Sequence, residues 1–192
     1  MIKSIIFDFA GVIGSDGYWI WLKEKLPDLD NKKRYFQDIS VQVDNGTITN
    51  QEFVNAIAKA VNVPEKIVWK EIFKRIIINQ DLLNLINQLK KKYKIGLLTN
   101  FTNEWLSQII EIYDLDKYFD IKVISSLEKL VKPDKKIYST TLNLLKSKPD
   151  EAVFIDDRQY NVDGGENVGI KSLLFTTNEK LINDLENLGI DI

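Results

Sequence analysis

The chain has 192 residues and a formal net charge of −2, and it contains no cysteine and no histidine. This length fits one domain, or one domain with a small insertion, and the near-neutral charge argues against nucleic-acid binding. The two missing residue types exclude disulfides, thiolate nucleophiles, Ser-His-Asp triads and zinc sites built from cysteine or histidine. Any catalysis must therefore depend on carboxylates, lysines, hydroxyls and cations that prefer oxygen ligands.

The first predicted element is a strand over Ile5–Phe9. Its hydrophobicity is continuous rather than alternating, which is typical of a strand buried on both faces. The run is too short for a secretory signal and contains Asp8. No other stretch of the chain reaches the roughly 18 apolar residues of a membrane span. We therefore expect a cytoplasmic protein that does not interact with membranes.

A helical segment without a convincing strand follows over residues 16–79. Thr49 and Glu52 have the spacing of a capping box, and apolar residues recur at helical spacing after them. We predict a small all-helical cap over residues 16–79, inserted after the first strand. The core would comprise residues 1–15 and 80–192.

Strands and helices alternate through the rest of the chain. Further buried strands are predicted over Ile95–Leu98, Ile121–Ile124, Ala152–Ile155 and Ser172–Phe175. Helical patterns between and after them cover Asp81–Tyr93, a helix capped by Thr102 that runs to Ile112, a helix beginning at Pro133, and Glu179–Leu188. This alternation predicts an α/β fold with a doubly wound, mostly parallel sheet.

Polar residues lie at or just after the carboxyl ends of four of the predicted strands, where open α/β sheets bind ligands. In chain order they are Asp8, Thr99, Asn100, Lys132, Asp156, Asp157 and Asn161. Each alone also fits an ordinary turn, helix cap or solvated side chain. Together they suit phosphoryl transfer, because paired carboxylates bind Mg²⁺, lysine neutralises phosphate and a carboxylate can attack phosphorus.

This order of motifs resembles the haloacid dehalogenase-like hydrolase superfamily over the whole chain. The four motifs are Ile6-Phe7-Asp8-Phe9-Ala10-Gly11-Val12, Leu98-Thr99-Asn100, Val131-Lys132-Pro133-Asp134 and Phe154-Ile155-Asp156-Asp157-Arg158-Gln159-Tyr160-Asn161. The chain is most similar to sugar phosphatases typified by alpha-glucose-1-phosphate phosphatase and to the N-terminal phosphatase domain of soluble epoxide hydrolases. The resemblance implies a Rossmann-like core and a Mg²⁺-dependent phosphatase of small phosphomonoesters, with sugar phosphates favoured.

The resemblance also implies a metal site. Asp8 would be both the nucleophile and a Mg²⁺ ligand, and the backbone carbonyl of Ala10 and the carboxylate of Asp157 would be further ligands. Asp156 would orient the active-site lysine or a metal-bound water. Asn161 would support Asp157.

A phosphate site is implied beside it. Thr99 and Lys132 would contact the transferring phosphoryl group as catalytic residues, with Asn100 next to them. The backbone N–H groups of Phe9 and Ala10 would add hydrogen-bond donors. A small phosphorylated metabolite is the expected partner, and a monomer is the default state.

The chain departs from the family pattern at Ala10, where typical family phosphatases have a second aspartate that protonates the leaving oxygen and later activates water. General acid–base catalysis contributes about 10²–10⁴-fold, so this difference matters. Three explanations stay open: a substrate with a good leaving group such as an anomeric or acyl phosphate, an acid from the cap, or phosphate binding without turnover. Asp16 is the nearest cap acid, although a helix-capping role fits it better.

Other functions on the same fold are also open. Phosphonoacetaldehyde hydrolases carry alanine at this position but need a cap lysine, and nothing separates Lys23 and Lys25 from solvated lysines. Dehalogenases need an arginine soon after the nucleophile, whereas the first arginine here is Arg34. The main alternative is a catalytically weak protein that binds phosphate or a partner.

Substrate recognition is expected to depend on the cap. Its aromatic residues Tyr18, Trp19, Trp21 and Tyr35 either line the site or form the hydrophobic core of the cap, and the second role is favoured.

Overall fold

The computed structural model describes residues 1–192 and contains one five-stranded sheet. The strands are β1 (Ser4–Phe7), β2 (Lys94–Thr99), β3 (Ile121–Ile124), β4 (Ala152–Asp156) and β5 (Lys171–Leu174). Their order across the sheet is β3-β2-β1-β4-β5, and every neighbouring pair is parallel. The predicted α/β fold is confirmed, and β1 lies at the centre of the sheet.

Ten α-helices connect and flank the strands. They are α1 (Gly17–Lys25), α2 (Leu29–Asp44), α3 (Asn50–Val61), α4 (Glu65–Phe73), α5 (Gln80–Leu89), α6 (Asn103–Ile112), α7 (Ser125–Glu128), α8 (Lys135–Leu145), α9 (Gln159–Glu166) and α10 (Asn178–Asn187). None of them combines the length and the apolar character that crossing a membrane requires.

The sheet is buried on both faces. Along β1, Ile5 and Phe7 belong to one hydrophobic cluster, whereas Ile6 between them belongs to a second cluster on the opposite face. Successive side chains of a strand point to opposite faces, so continuous hydrophobicity is what a doubly covered strand requires. This arrangement explains why the apolar runs of the sequence predict the strands well, although β1 ends at Phe7 rather than Phe9.

Helices α1 to α4 form an insertion between β1 and α5, which we call the cap. The cap has its own hydrophobic cluster, centred on fully buried side chains such as Trp21, Phe36 and Ile57. Trp105 of α6 joins this cluster and stacks on Trp69 of α4 with ring centroids 4.4 Å apart. The cap therefore packs against α6, and the division of the chain at residues 15/16 and 79/80 stays a prediction.

The helix starts and caps predicted from the sequence agree with the structure at some positions and differ at others. Thr49 and Glu52 form the predicted capping box of α3. Thr102 precedes α6 as its N-cap residue, but its hydroxyl makes no capping bond. Ser126 Oγ accepts the first N–H of that helix, that of Asn103, at 2.8 Å. The helix predicted to begin at Pro133 begins at Lys135 instead. Its N-cap is the preceding aspartate, whose carboxylate accepts a backbone N–H of the first turn at 2.8 Å.

Candidate active site

Four polar side chains meet at the carboxyl edge of the sheet. Asp8 follows β1, Thr99 ends β2, and Asp156 and Asp157 lie at the end of β4. Because β1 lies between β2 and β4, these side chains become neighbours. The structure thus brings the predicted acids and the hydroxyl together at one edge.

Lys132 is the centre of the site. Its ammonium Nζ lies 2.9 Å from Asp8 Oδ1 and 2.6 Å from Asp156 Oδ2, and it donates to the carbonyl of Leu98 at 3.0 Å. The side chain is 1% exposed. A buried ammonium is stable only when its protons have acceptors, and these three acceptors meet that requirement.

The carboxylate of Asp156 is fully engaged by the protein. Besides Lys132, it accepts hydrogen bonds from the backbone N–H of Arg158 at 2.9 Å and from Asn161 Nδ2 at 3.1 Å. Asp156 therefore contacts Lys132 directly at 2.6 Å, and its role in orienting that lysine or a metal-bound water stays a prediction. Asn161 supports Asp156 rather than Asp157, which corrects the sequence-based expectation, since its amide points back to the end of β4.

Asp8 has an unusual electrostatic environment. Burial raises the pKa of its carboxyl to about 8, Lys132 opposes this rise, and the nearby charges of Asp156 and Asp157 add to it. The backbone N–H of Phe9 donates to Asp8 Oδ1 at 2.7 Å and helps to hold the carboxylate in place. A further cation beside Asp8 would favour the ionised, nucleophilic form.

The donor set fits a hard cation. Carboxylate oxygens of Asp8, Asp156 and Asp157 lie within 4.8 Å of one another. Lys132 and the N–H of Phe9 contact Asp8 Oδ1, Lys132 also contacts Asp156, and Arg158 Nε pairs with Asp157 Oδ2 at 3.1 Å. The carboxylate oxygens left for a cation are therefore Asp8 Oδ2 and Asp157 Oδ1. Asp157 Oδ1 is buried without a hydrogen-bond partner, and no backbone N–H donates to the carbonyl of Ala10. Oxygen ligands of this kind suit Mg²⁺.

Gly11 shapes this donor set. Its φ of +84° lies in the left-handed region that favours glycine, and a Cβ at this position would overlap the carboxyl group of Asp157. The loop after β1 can therefore approach Asp157 closely only with glycine here. Burial also raises the pKa of Asp157 to about 6, and the neighbouring Arg158 opposes that rise.

The other predicted phosphate-site residues differ in whether their polar atoms already have hydrogen-bond partners in the protein. Thr99 Oγ1 is buried without a partner and is available to a ligand. Asn100 uses both of its amide atoms on the backbone of Lys132, at 2.8 and 3.1 Å, and so positions that lysine. The N–H of Phe9 is taken by Asp8. Direct phosphate contacts of Asn100, Phe9 and Ala10 stay predictions.

Two adjoining cavities lie between the sheet edge and the cap. The larger, of about 900 Å³, is lined by Asp8, Lys132 and Asp157 and by polar cap residues. The smaller, of about 110 Å³, has aromatic walls that include Phe53 and Trp105. Both cavities share the lining residues Ala10, Asp16, Trp19, Ser40, Asp44 and Asn100.

Three of the four cap aromatics take one of the two expected roles, and Tyr35 takes neither. Tyr18 and Trp19 line the smaller cavity, whereas Trp21 is fully buried in the cap core. Tyr35 is 48% exposed and lines neither cavity.

Sequence reasoning considered Asp16 as a cap acid, and the structure gives it the helix-capping role. Its Oδ1 accepts the N–H of Trp19 at 3.2 Å and its Oδ2 accepts from Arg158 at 3.0 Å. Asp44, which ends α2 and lines both cavities, was missed. No local sequence signal distinguishes it, because its position depends on how α2 packs over the sheet.

The chain is similar to several known proteins. The model of the family described as haloacid dehalogenase-like hydrolase matches residues 27–175. Bifunctional epoxide hydrolase 2 of Mus musculus is 30% identical over 143 residues, which cover 68% of this chain and 25% of that protein. Pyrophosphatase PpaX of Bacillus cereus is 32% identical over 88 residues, 45% of this chain and 41% of that protein. The chain thus matches less than half the length of these relatives.

Solved structures share the fold at low sequence identity. A HAD-like family hydrolase of Porphyromonas gingivalis superposes with a TM-score of 0.80 at 21% identity, covering 100% of both chains. A HAD family enzyme of Bacteroides thetaiotaomicron, in complex with magnesium and inorganic phosphate, has a TM-score of 0.74 at 22% identity, covering 93% of this chain and 96% of that one. Because the family model matches most of the chain, this protein belongs to the haloacid dehalogenase-like hydrolase family.

Proposed function

We propose that this protein is a Mg²⁺-dependent phosphatase that hydrolyses small phosphomonoesters, sugar phosphates foremost, through an aspartyl-phosphate on Asp8. The observation that carries the proposal is the buried Asp8–Lys132 pair, with the unpartnered oxygens of Thr99 and Asp157 beside it. A nucleophile, a cation and free ligand atoms at one sheet edge are the requirements of phosphoryl transfer.

The first step would be attack of an Asp8 carboxylate oxygen on phosphorus, with release of the alcohol. Lys132 offsets the negative charge of the phosphoryl group, and the Thr99 hydroxyl donates to one of its oxygens. Asp156 and Asn100 hold Lys132 in place for this role. Water then attacks the aspartyl-phosphate, which releases inorganic phosphate and regenerates Asp8.

The metal would be held by Asp8, Asp157 and the backbone carbonyl of Ala10. When bound, Mg²⁺ supplies positive charge that stabilises the ionised nucleophile and the phosphoryl oxygens. The magnesium and inorganic phosphate bound to the Bacteroides thetaiotaomicron enzyme support these two ligands for a site on this fold.

The larger cavity supports a small, polar substrate. Its volume of about 900 Å³ fits a metabolite, and the cap side of its wall carries Lys23, Lys33, Gln37 and Ser40. These side chains offer hydrogen bonds to hydroxyl groups, as a sugar phosphate needs. The pyrophosphatase activity in the name of PpaX also belongs to phosphoryl transfer.

Ala10 supports a second candidate function, in which the protein binds phosphate or a partner and is catalytically weak. Its methyl group can neither donate nor accept a proton, so the loop after β1 lacks an acid at that position. The two candidates differ in turnover and agree in the binding of Mg²⁺ and phosphate.

Phosphate release from a panel of small phosphomonoesters, with and without Mg²⁺, tests the proposal. We expect turnover that requires Mg²⁺ and disappears in Asp8→Asn. No turnover on any substrate, while Mg²⁺ and phosphate still raise the Tm, would refute the phosphatase and leave the binding protein.

A further inference from the structure

The proposed reaction needs a proton donor that the loop after β1 does not provide. An alcohol is a poor leaving group unless its bridging oxygen is protonated as the bond to phosphorus breaks. Water must likewise lose a proton when it attacks the aspartyl-phosphate. Position 10 carries a methyl group, and the chain contains no histidine that could serve instead.

The carboxylates lining the two cavities are few enough to compare one by one. They are Asp8, Asp16, Asp30, Asp44 and Asp157. Asp8 is the nucleophile and Asp157 faces the cation. Asp16 is bound by a helix N-terminus and an arginine, and Asp30 is exposed at the start of α2. Asp44 is the remaining acid.

Asp44 faces the cavity space beside position 10. It lies at the end of α2, lines both cavities together with Ala10, and its carboxylate forms no hydrogen bond or ion pair with the protein. Its backbone carbonyl accepts a hydrogen bond of 2.6 Å from Ser125 Oγ, which also accepts the N–H of Phe101. This contact holds the C-terminal end of α2 against the loops at the sheet edge.

The electrostatic environment of Asp44 suits proton transfer at neutral pH. Burial raises the pKa of Asp44 to about 7, and the charge of Asp16 adds to this rise. Lys132 opposes it. Tyr18 of α1 is a further titratable neighbour: burial raises the pKa of its hydroxyl, and the charge of Asp44 adds to this rise. Both protonation states of Asp44 are therefore populated near pH 7, which is where a general acid–base is most effective.

We infer that Asp44, a residue of the cap, is the general acid and base of the reaction, an inference that rests on the proposed phosphatase function. As an Asp8 oxygen bonds to phosphorus, the bond to the leaving oxygen breaks and protonated Asp44 gives its proton to that oxygen. The ionised Asp44 then takes a proton from water as the water oxygen bonds to phosphorus and the bond to Asp8 breaks. Phosphate leaves, and both carboxyl groups return to their starting states.

The test compares two leaving groups in wild type and Asp44→Asn. For the sugar phosphate that wild type hydrolyses fastest, we expect Asp44→Asn to have a kcat/KM about 10²-fold lower than wild type. For p-nitrophenyl phosphate, whose leaving group needs no proton, we expect a loss below about 5-fold. Wild-type kcat/KM for the sugar phosphate should also fall as pH rises through about 7, because the acid form is required, and this decline should be absent in the variant.

Asp38→Asn, an exposed position on the same helix, is the matched control and should leave both substrates unaffected. Equal losses of both substrates in Asp44→Asn would show a structural role, and no loss would show that Asp44 is not used; either result overturns the inference alone. Absence of Asp8-dependent turnover of p-nitrophenyl phosphate in wild type would instead refute the phosphatase itself, and this inference with it.

Discussion

Lys132 determines the charge balance of the site because its single positive charge lies against two buried carboxylates. Asp8 is 5% exposed and Asp156 is fully buried, so neither can rely on solvent to stabilise its charge. The desolvation of such a group is costly, and removal of one partner leaves the others uncompensated. Lys132 therefore has a structural role in addition to its proposed contact with phosphate.

Lys132→Met in the metal-free protein is expected to lower the free energy of unfolding by about 3–5 kcal/mol, since it leaves two carboxylates buried side by side. Urea denaturation at pH 7 measures this. Lys117→Met is the control, because Lys117 forms a solvent-exposed ion pair with Asp114 and its loss should change the free energy of unfolding little. Similar losses in the two variants would contradict the proposed balance of charge.

Most of this charged cluster could be predicted from sequence. Asp8, Thr99 and Asp156 each end or follow a buried strand, and parallel strands end at the same edge of a sheet. Asp44 and the actual partner of Asn161 could not be predicted in this way. Both depend on side-chain directions and helix packing that no local pattern encodes.

Among the elements, the loop after β1 contributes most to the proposed metal site. It turns back at once, with the N–H groups of Val12, Ile13 and Gly14 donating to the carbonyl of Phe9. This turn leaves the carbonyl of Ala10 without a backbone partner. The loop can thus offer a backbone ligand without a side-chain acid.

Gly11→Ala is expected to weaken Mg²⁺ binding, because the added methyl group displaces the carboxyl of Asp157. The left-handed backbone also makes alanine unfavourable by about 1–2 kcal/mol. The measurement is the rise in Tm on addition of Mg²⁺.

Gly189→Ala separates the two effects of that substitution. Gly189 also has a positive φ, of +73°, but no atom lies within 4 Å of the added methyl group. It should lose similar stability and keep the full Mg²⁺-dependent rise. An undiminished rise in Gly11→Ala would contradict the assignment of Asp157 to the metal.

At the scale of the whole molecule, the strands of the sheet can be predicted from the sequence, whereas the position of the cap over the sheet cannot. Continuous apolar runs identify strands that helices cover on both faces, and the helical periodicity of the insertion identifies the cap. The packing of Trp69 on Trp105 and the bond from Ser125 to Asp44 place the cap over the sheet edge. Such contacts between distant segments leave no periodic trace in the sequence.

In this arrangement the proposed reaction site lies between the sheet edge and the cap. The sheet edge carries Asp8 as the proposed nucleophile and Lys132 and Asp157 as the proposed phosphate and cation contacts. The cap lines much of the larger cavity and carries the proposed acid–base Asp44. Substrate choice would therefore change with cap residues while the chemistry at Asp8 stays the same.

The central claim is that Asp8 carries the phosphoryl group during turnover. The most direct measurement is rapid acid quenching of the enzyme with substrate and Mg²⁺, followed by mass spectrometry of its peptides. We predict one added phosphoryl group on the peptide containing Asp8, absent without Mg²⁺ and absent in Asp8→Asn. Continued substrate hydrolysis by Asp8→Asn, with no phosphorylated peptide in the wild type, would contradict the claim.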